Sequence, residues 1–426
     1  MTPRPHRLSR RDFAALSHGR GGAGTMRALM AARRSRTLML IRFVAGTAGD
    51  DVRVRRAYQS LSKLQQVAPD AVNQVLDHPS VGAWATRAAV RVRRGIPAHP
   101  ADLAFVAAAA AVRAGVPTSV SLPPRAAISL PSLGTVLRPA RGDIQVRCGD
   151  DGAELGGVRI PAEVHVDGPG WRGIPEITVD SDGLAASFLL DRWTAGELPP
   201  QIRVSGSPDL ARWRDRIADG WDLLVRHHRE VAEELSASVT VLTPLLASDR
   251  TVSSATLSDA LGCVFLSLAP DARSIAVTLT HELQHTKLIA LMNLLALLEP
   301  GLRGAYYAPW REDPRPLAGL LHGTYAYLGV TAFWRRQRAV ETCAEDELDA
   351  HTAFARWRSA TLGATETLLD SGGLTTAGQE FVRGMAGVLT LWCAEPVPTA
   401  AEAVADRLRA DHRRRWLSAH GRGYRP

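Results

Sequence analysis

Between residues 10 and 115 the apolar residues recur every three or four positions, as in AVNQVLDHPSVGAWATRAAVRV, with Gly and Pro at breaks such as GIPAHP. That period makes one side of a helix apolar and predicts a helical region over 1–115. From 116 to 205 the texture shortens to alternating or β-branched runs, TSVSL, DIQVRC, VRIPAEVHV, PEITV and ASFLL, cut by Gly, Pro and Asp. An antiparallel β-rich region follows, in which LPSLG (130–134) reads as a turn. From 206 to 426 helical spacing returns. A long helix is expected from about Asp209 to Leu235, then a strand in SVTVLTPLL, then a buried strand in GCVFLSL (262–268). A further helix starts after Pro270-Asp271 and runs to Leu298, where Pro300-Gly301 stops it. A loop rich in Pro and charge (306–316) leads to an apolar helix over 317–334, and three polar-faced helices finish the chain. The expected fold class is α+β, predominantly helical, with no internal repeat.

Composition narrows the function classes. With 426 residues and 46% hydrophobic content the chain is long enough for two or more packed domains. The longest apolar runs, ADLAFVAAAAAV and LIALMNLLALL, are too short to span a bilayer, so no membrane segment is expected. RTLMLIRFVAG near the start is broken by Arg42 and lacks a cleavage pattern, which predicts no export. Cys148, Cys263, Cys343 and Cys393 are far apart and form no CxxC pair, so a reducing cytoplasm is the expected location. The net charge of +8 is almost all arginine, Lys63 and Lys287 being the two lysines, but the arginines are dispersed among acids. A nucleic-acid partner is therefore not expected, whereas a carboxylate-rich one stays open.

The chemistry concentrates in TLTHELQHTKL (278–288). On a helix, His281 and His285 stand four residues apart, one above the other, and turn two imidazoles to a common point. A catalytic ion takes three protein ligands and keeps positions open. In a zinc peptidase Glu282 would be the general base, yet the residues after His285, TKLIALMN, lack the glycine and histidine of the extended HExxHxxGxxH pattern. Glu299 closes the same helix and Glu312 sits in a Pro-bounded loop, so a downstream glutamate ligand on a second helix is not evident either. His322 in LAGLLHGTYAYL is the better third ligand, with Gly319 and Gly323 beside it permitting close approach. Glu312 and Asp313 are the carboxylate alternatives. His227 and His228 are adjacent, point about 100° apart and read as a solvated helix face.

Four stretches carry a resemblance that spans residues 6 to about 340: HRLSRRDFAALSHGRGGAGTMRALMAARRSRTLMLIR, LPSLG, TLTHELQHTKL and, most distinctively, YYAPWREDPRPLAGLLHGTYAYLGV. In these the chain resembles the HExxH-type 2-oxoglutarate-dependent peptide β-hydroxylases found in ribosomal-peptide clusters beside radical-SAM enzymes. The resemblance implies Fe(II), O2 and 2-oxoglutarate as cofactors, a ribosomally made precursor peptide as substrate and a radical-SAM maturase as a cluster partner. Tested against that chemistry, His281, His285 and His322 would form the ligand face, and Glu282 an outer orienting carboxylate. An arginine fork is needed for the cosubstrate's distal carboxylate. Arg315, stiffened by Pro314 and Pro316, is the first choice and Arg311 the second. Residues 206–426 are then the catalytic domain, with a zincin-like motif helix, and 116–205 a candidate peptide-binding region whose sheet edges accept an extended chain. Tyr306, Tyr307, Trp310 and Tyr325 are candidates for the peptide pocket. A Zn(II) peptidase acting on such a peptide is the alternative, and a non-enzymatic leader-binding relative a third reading.

Overall fold

The computed structural model describes residues 6–125, 127–137, 144–149, 151–192, 198–200, 202–246, 252–302 and 304–421. Six helices come first: α1 (Arg10–Ser17), α2 (Gly22–Thr47), α3 (Val52–Val67), α4 (Pro69–Leu76), α5 (Pro79–Arg93) and α6 (Leu103–Ala114). Nine strands follow: β1 (Thr118–Leu122), β2 (Ile128–Leu130), β3 (Gly134–Val136), β4 (Ile144–Gly149), β5 (Gly152–Leu155), β6 (Val158–Ile160), β7 (Trp171–Gly173), β8 (Glu176–Ser181) and β9 (Leu184–Leu190). Then come α7 (Leu210–His227), α8 (Arg229–Ser236), β10 (Val241–Pro244), β11 (Ser254–Ala255), β12 (Cys263–Leu266) and five helices, α9 (Ala272–Met292), α10 (Leu317–Gln337), α11 (Ala344–Asp370), α12 (Thr376–Cys393) and α13 (Thr399–His420). The chain is α+β and mainly helical. Among the described residues no helix is long and apolar enough to cross a membrane.

Two cores organise these elements. In the first, α3–α6 cover two antiparallel sheets, β1-β4-β5-β6 and β2-β3-β7, burying Val54, Leu61, Leu103, Val146 and Trp171 together. LPSLG makes the β2–β3 turn, with Ser132 at φ 67°. The second core surrounds a five-stranded sheet of order β11-β12-β10-β9-β8. Its central strands, β9, β10 and β12, run parallel, and every residue of β10 and β12 is buried. Burial on both faces is what parallel strands require, and it explains their unbroken apolar texture. The N-terminal Leu16, Met26 and Leu29 pack in this second core with Ile275, Leu279 and Leu283 of α9. Both cores therefore draw on residues before 116 and on the β-rich stretch.

Two expected helices differ. The helix from Asp209 breaks at His228, which leaves helical geometry at φ −134°, ψ 43°. Its imidazole turns inward instead of facing solvent, stacks on Phe333 at 4.2 Å and bonds Gln337 at 2.9 Å. The expected solvated face is corrected for His228 by these two partners. The motif helix α9 stops at Met292, not Leu298. Beyond it the chain pairs with the α11–α12 turn, Glu299 N–H donating to Gly373 O at 3.0 Å and Thr375 N–H to Leu297 O at 3.1 Å.

Candidate metal centre

Asp271 caps α9 by accepting from Ser274 N–H at 2.8 Å. Ten residues on, His281 and His285 share one helical face. Their Nε2 atoms are 3.1 Å apart and their rings 4.8 Å apart at 75°. For an ion about 2.1 Å from each nitrogen, that separation subtends about 95°, the geometry of two neighbouring ligands. α10 packs antiparallel beside α9, bringing Tyr327 against His281 (5.5 Å) and His322 against His285 (5.8 Å). Burial together with the neighbouring histidines holds the His285 imidazole well below its usual range, and burial holds His322 down to about 4. Neutral rings keep the lone pairs that a cation needs.

Glu282 is buried beside this pair. Its Oε2 accepts from Thr256 Oγ1 at 2.6 Å and its Oε1 lies 3.8 Å from His281 Nε2. One ligand atom each from His281, Glu282 and His285 falls within 4.8 Å of the others, close enough to hold an ion. The Thr256 bond commits one carboxylate oxygen to the protein, and residues 281 and 282 leave the helix about 100° apart. His322, its ring 5.8 Å from that of His285, lies outside this group of three, in which Glu282 Oε1 is the remaining ligand atom.

These groups open onto a cavity of about 970 Å³, lined also by Arg311 and Arg315. The loop before α10 is closed on itself by Tyr306 N–H to Arg315 O (2.8 Å) and Arg315 N–H to Tyr306 O (2.9 Å). The Arg315 guanidinium lies on Gly319, where a Cβ would come 3.1 Å from its Nε, within one turn of His322. Both arginines donate to Asp313, Arg311 at 2.9 Å and Arg315 at 3.1 Å. Against the upward push of burial, those bonds hold the Asp313 carboxyl below its usual range. Asp313 is thereby a partner of the arginines and does not line the cavity, while Glu312 faces Arg415 and His412 at 3.4 and 3.9 Å. Neither carboxylate alternative joins the histidines.

The aromatic candidates divide. Trp310 lines the cavity, lying on Gly323 so closely that a Cβ there would meet its Nε1 at 2.3 Å. Tyr306 and Tyr307 line a separate cavity of about 1070 Å³, bounded by α11 and α13. Tyr325 is core, its hydroxyl donating to Leu16 O at 2.7 Å. Sequence reasoning missed Thr256, Tyr327, Trp334 and Trp357, all on the cavity wall. Tyr327 and Trp334 could have been found, because Gly319, Gly323, Tyr327, Val330 and Trp334 form one stripe at three- and four-residue spacing on α10. Thr256 and Trp357 come from distant segments and carry no local signal. Comparison with known protein families and with curated proteins returns no match for this chain.

Proposed function

We propose that this chain is an Fe(II)- and 2-oxoglutarate-dependent oxygenase that hydroxylates a side-chain β-carbon in a ribosomally made precursor peptide. The observation that carries the reading is the coincidence, in one cavity, of the His281, His285 and His322 imidazoles with Arg315 one helical turn away. Three imidazole ligands on one side would leave room for a bidentate keto acid and for O2. Bound Fe(II) would supply O2 activation coupled to decarboxylation of 2-oxoglutarate, one oxygen atom entering the C–H bond and the other the succinate that leaves with CO2. The chain's own groups position the reactants. Arg315, with Arg311 beside it, offers a planar fork for the distal carboxylate, exchanging Asp313 for the cosubstrate. Glu282, fixed by Thr256, balances cationic charge next to His281 and orients that ring.

The four free cysteines and an oxidisable ferrous ion fit a reducing cytoplasm, and a radical-SAM maturase is the proposed partner that handles the same peptide. A Zn(II) peptidase is the second reading, favoured by Glu282, whose Oε1 points toward the histidines as a general base would. It leaves the two cavity arginines without a role. The two readings separate in one experiment, anaerobic reconstitution with Fe(II) followed by mass spectrometry of the precursor peptide. Oxygenation adds one oxygen mass to an intact peptide only when 2-oxoglutarate and O2 are supplied. Cleavage without either cosubstrate, or no change with both, overturns it.

A further inference from the structure

The cavity over the histidines has two unlike walls. On one side stand Trp310, Tyr327 and Trp357. Trp310 stacks on Tyr327 at 4.7 Å and 14°, Trp357 leans on Tyr327 at 4.4 Å, and Tyr327 meets the His281 ring edge-on at 5.5 Å. The three form a continuous aromatic surface ending at the metal ligands. None is buried, unlike the indoles of Trp171, Trp221 and Trp416, which are packed in the protein interior. On the other side lies the segment 252–258, with Ser253, Ser254 and Thr256, whose strand β11 pairs with β12 on one edge and is the outermost strand of its sheet among the described residues.

An extended peptide matches both walls at once, its backbone along the edge of β11 that is unpaired among the described residues and one side chain across the slot. Aromatic faces retained against solvent are covered best by another neutral ring. A cationic side chain is disfavoured, because the Arg356 guanidinium already sits 4.3 Å over Trp357 and Arg311 and Arg315 share the cavity. We infer that the aromatic wall of Trp310, Tyr327 and Trp357 selects the residue presented to the metal, and that this residue is aromatic. The inference rests on the reading above only in taking a peptide side chain as what the cavity receives.

Binding tests it without turnover. Capped pentapeptides with Phe, Leu, Asn, Lys or Ala at the centre are titrated anaerobically into the full-length Fe(II)-loaded protein without 2-oxoglutarate, with calorimetric readout. The Phe peptide should bind about tenfold more tightly than the Ala peptide, the factor one aromatic pair supplies, with Leu between and Lys weakest. Trp357→Ala should bring Phe and Ala within about twofold; Tyr327→Phe should keep the preference. A photoreactive benzophenone side chain at the central position should crosslink within 310–327 or at 357, which reads the contact even if a tryptophan variant fails to fold. Equal affinities across the panel, or crosslinks elsewhere, overturn the inference. An aromatic preference without oxygen insertion would leave the wall standing and remove the oxygenase reading, whereas oxygen insertion at a non-aromatic residue does the reverse.

Discussion

The motif helix α9 carries buried polar groups on two faces, and they are treated differently. On the face turned to the N-terminal segment, Lys287 Nζ pairs with Glu234 and donates to Gly19 O at 2.9 Å. Gly22 N–H donates to Glu234 Oε1 at 2.7 Å, and Gln284 Nε2 donates to Gly19 O at 3.0 Å. Donors there meet acceptors, and the result is a joint between α9, α8 and the α1–α2 turn. On the other face, His281 and His285 aim two ring nitrogens at one another, with His322 behind them and Glu282 alongside. Like groups converge there, the two imidazoles on one another and Glu282 alongside them on the Thr256 hydroxyl. Buried polarity alone therefore does not mark a site; convergence of lone pairs on one open point does.

The sharpest break of this contrast is His281→Ala or His285→Ala. Metal content should fall from about one ion per chain to near zero while far-ultraviolet circular dichroism stays unchanged, because the ligand set drops below three. A variant that keeps its metal would show that the pair is only an interhistidine hydrogen bond. On the opposite face, Lys287→Met should cost ~3–5 kcal/mol in urea unfolding, since Glu234 would be left as a buried charge. The double variant Lys287→Met/Glu234→Leu should recover most of that loss, and each should retain metal when folded.

His228 supplies a third term, a histidine buried with partners. Burial lowers it to about 4, so the unfolded chain takes up its proton first as pH falls. Its contribution is full above pH 6.5 and declines through the window between 6.5 and 4, the loss reaching about 2–3 kcal/mol at pH 4.5. Urea midpoints at pH 7 and 4.5 should therefore differ less for His228→Gln than for the parent. The smallest effect is expected of Arg315→Ala, which should raise the 2-oxoglutarate concentration for half-maximal turnover by about 10- to 100-fold, the worth of hydrogen bonds to a charged group. Metal content should not change.

Much of the site was readable because it is local. The i, i+4 histidines, the loop arginines and His322 with its two glycines all lie within 43 consecutive residues, 281–323, where helical period places those of each helix on one face. Fold class followed from the same periodicity. What the periodicity could not show was long-range pairing. β9 alternates buried and exposed residues, yet its end, Leu189 and Leu190, runs parallel to β10, and nothing in ASFLL names that partner. The inward turn of His228 depends on Phe333 and Gln337, more than a hundred residues away, while its own neighbours are charged. The end of α9 is likewise set by Leu374 and Gly373 on a later turn.

The joint behind α9 also has a bearing on synthesis. Gly19 meets Gln284 and Lys287 across 265 and 268 residues of chain. At the usual ribosomal pace of about 5–20 residues per second, the α1–α2 turn emerges roughly 13–50 s before its anchor does. Made well before its anchor, the turn is fastened late, so a nascent chain stalled before residue 287 would carry this turn unclasped and open to chaperones.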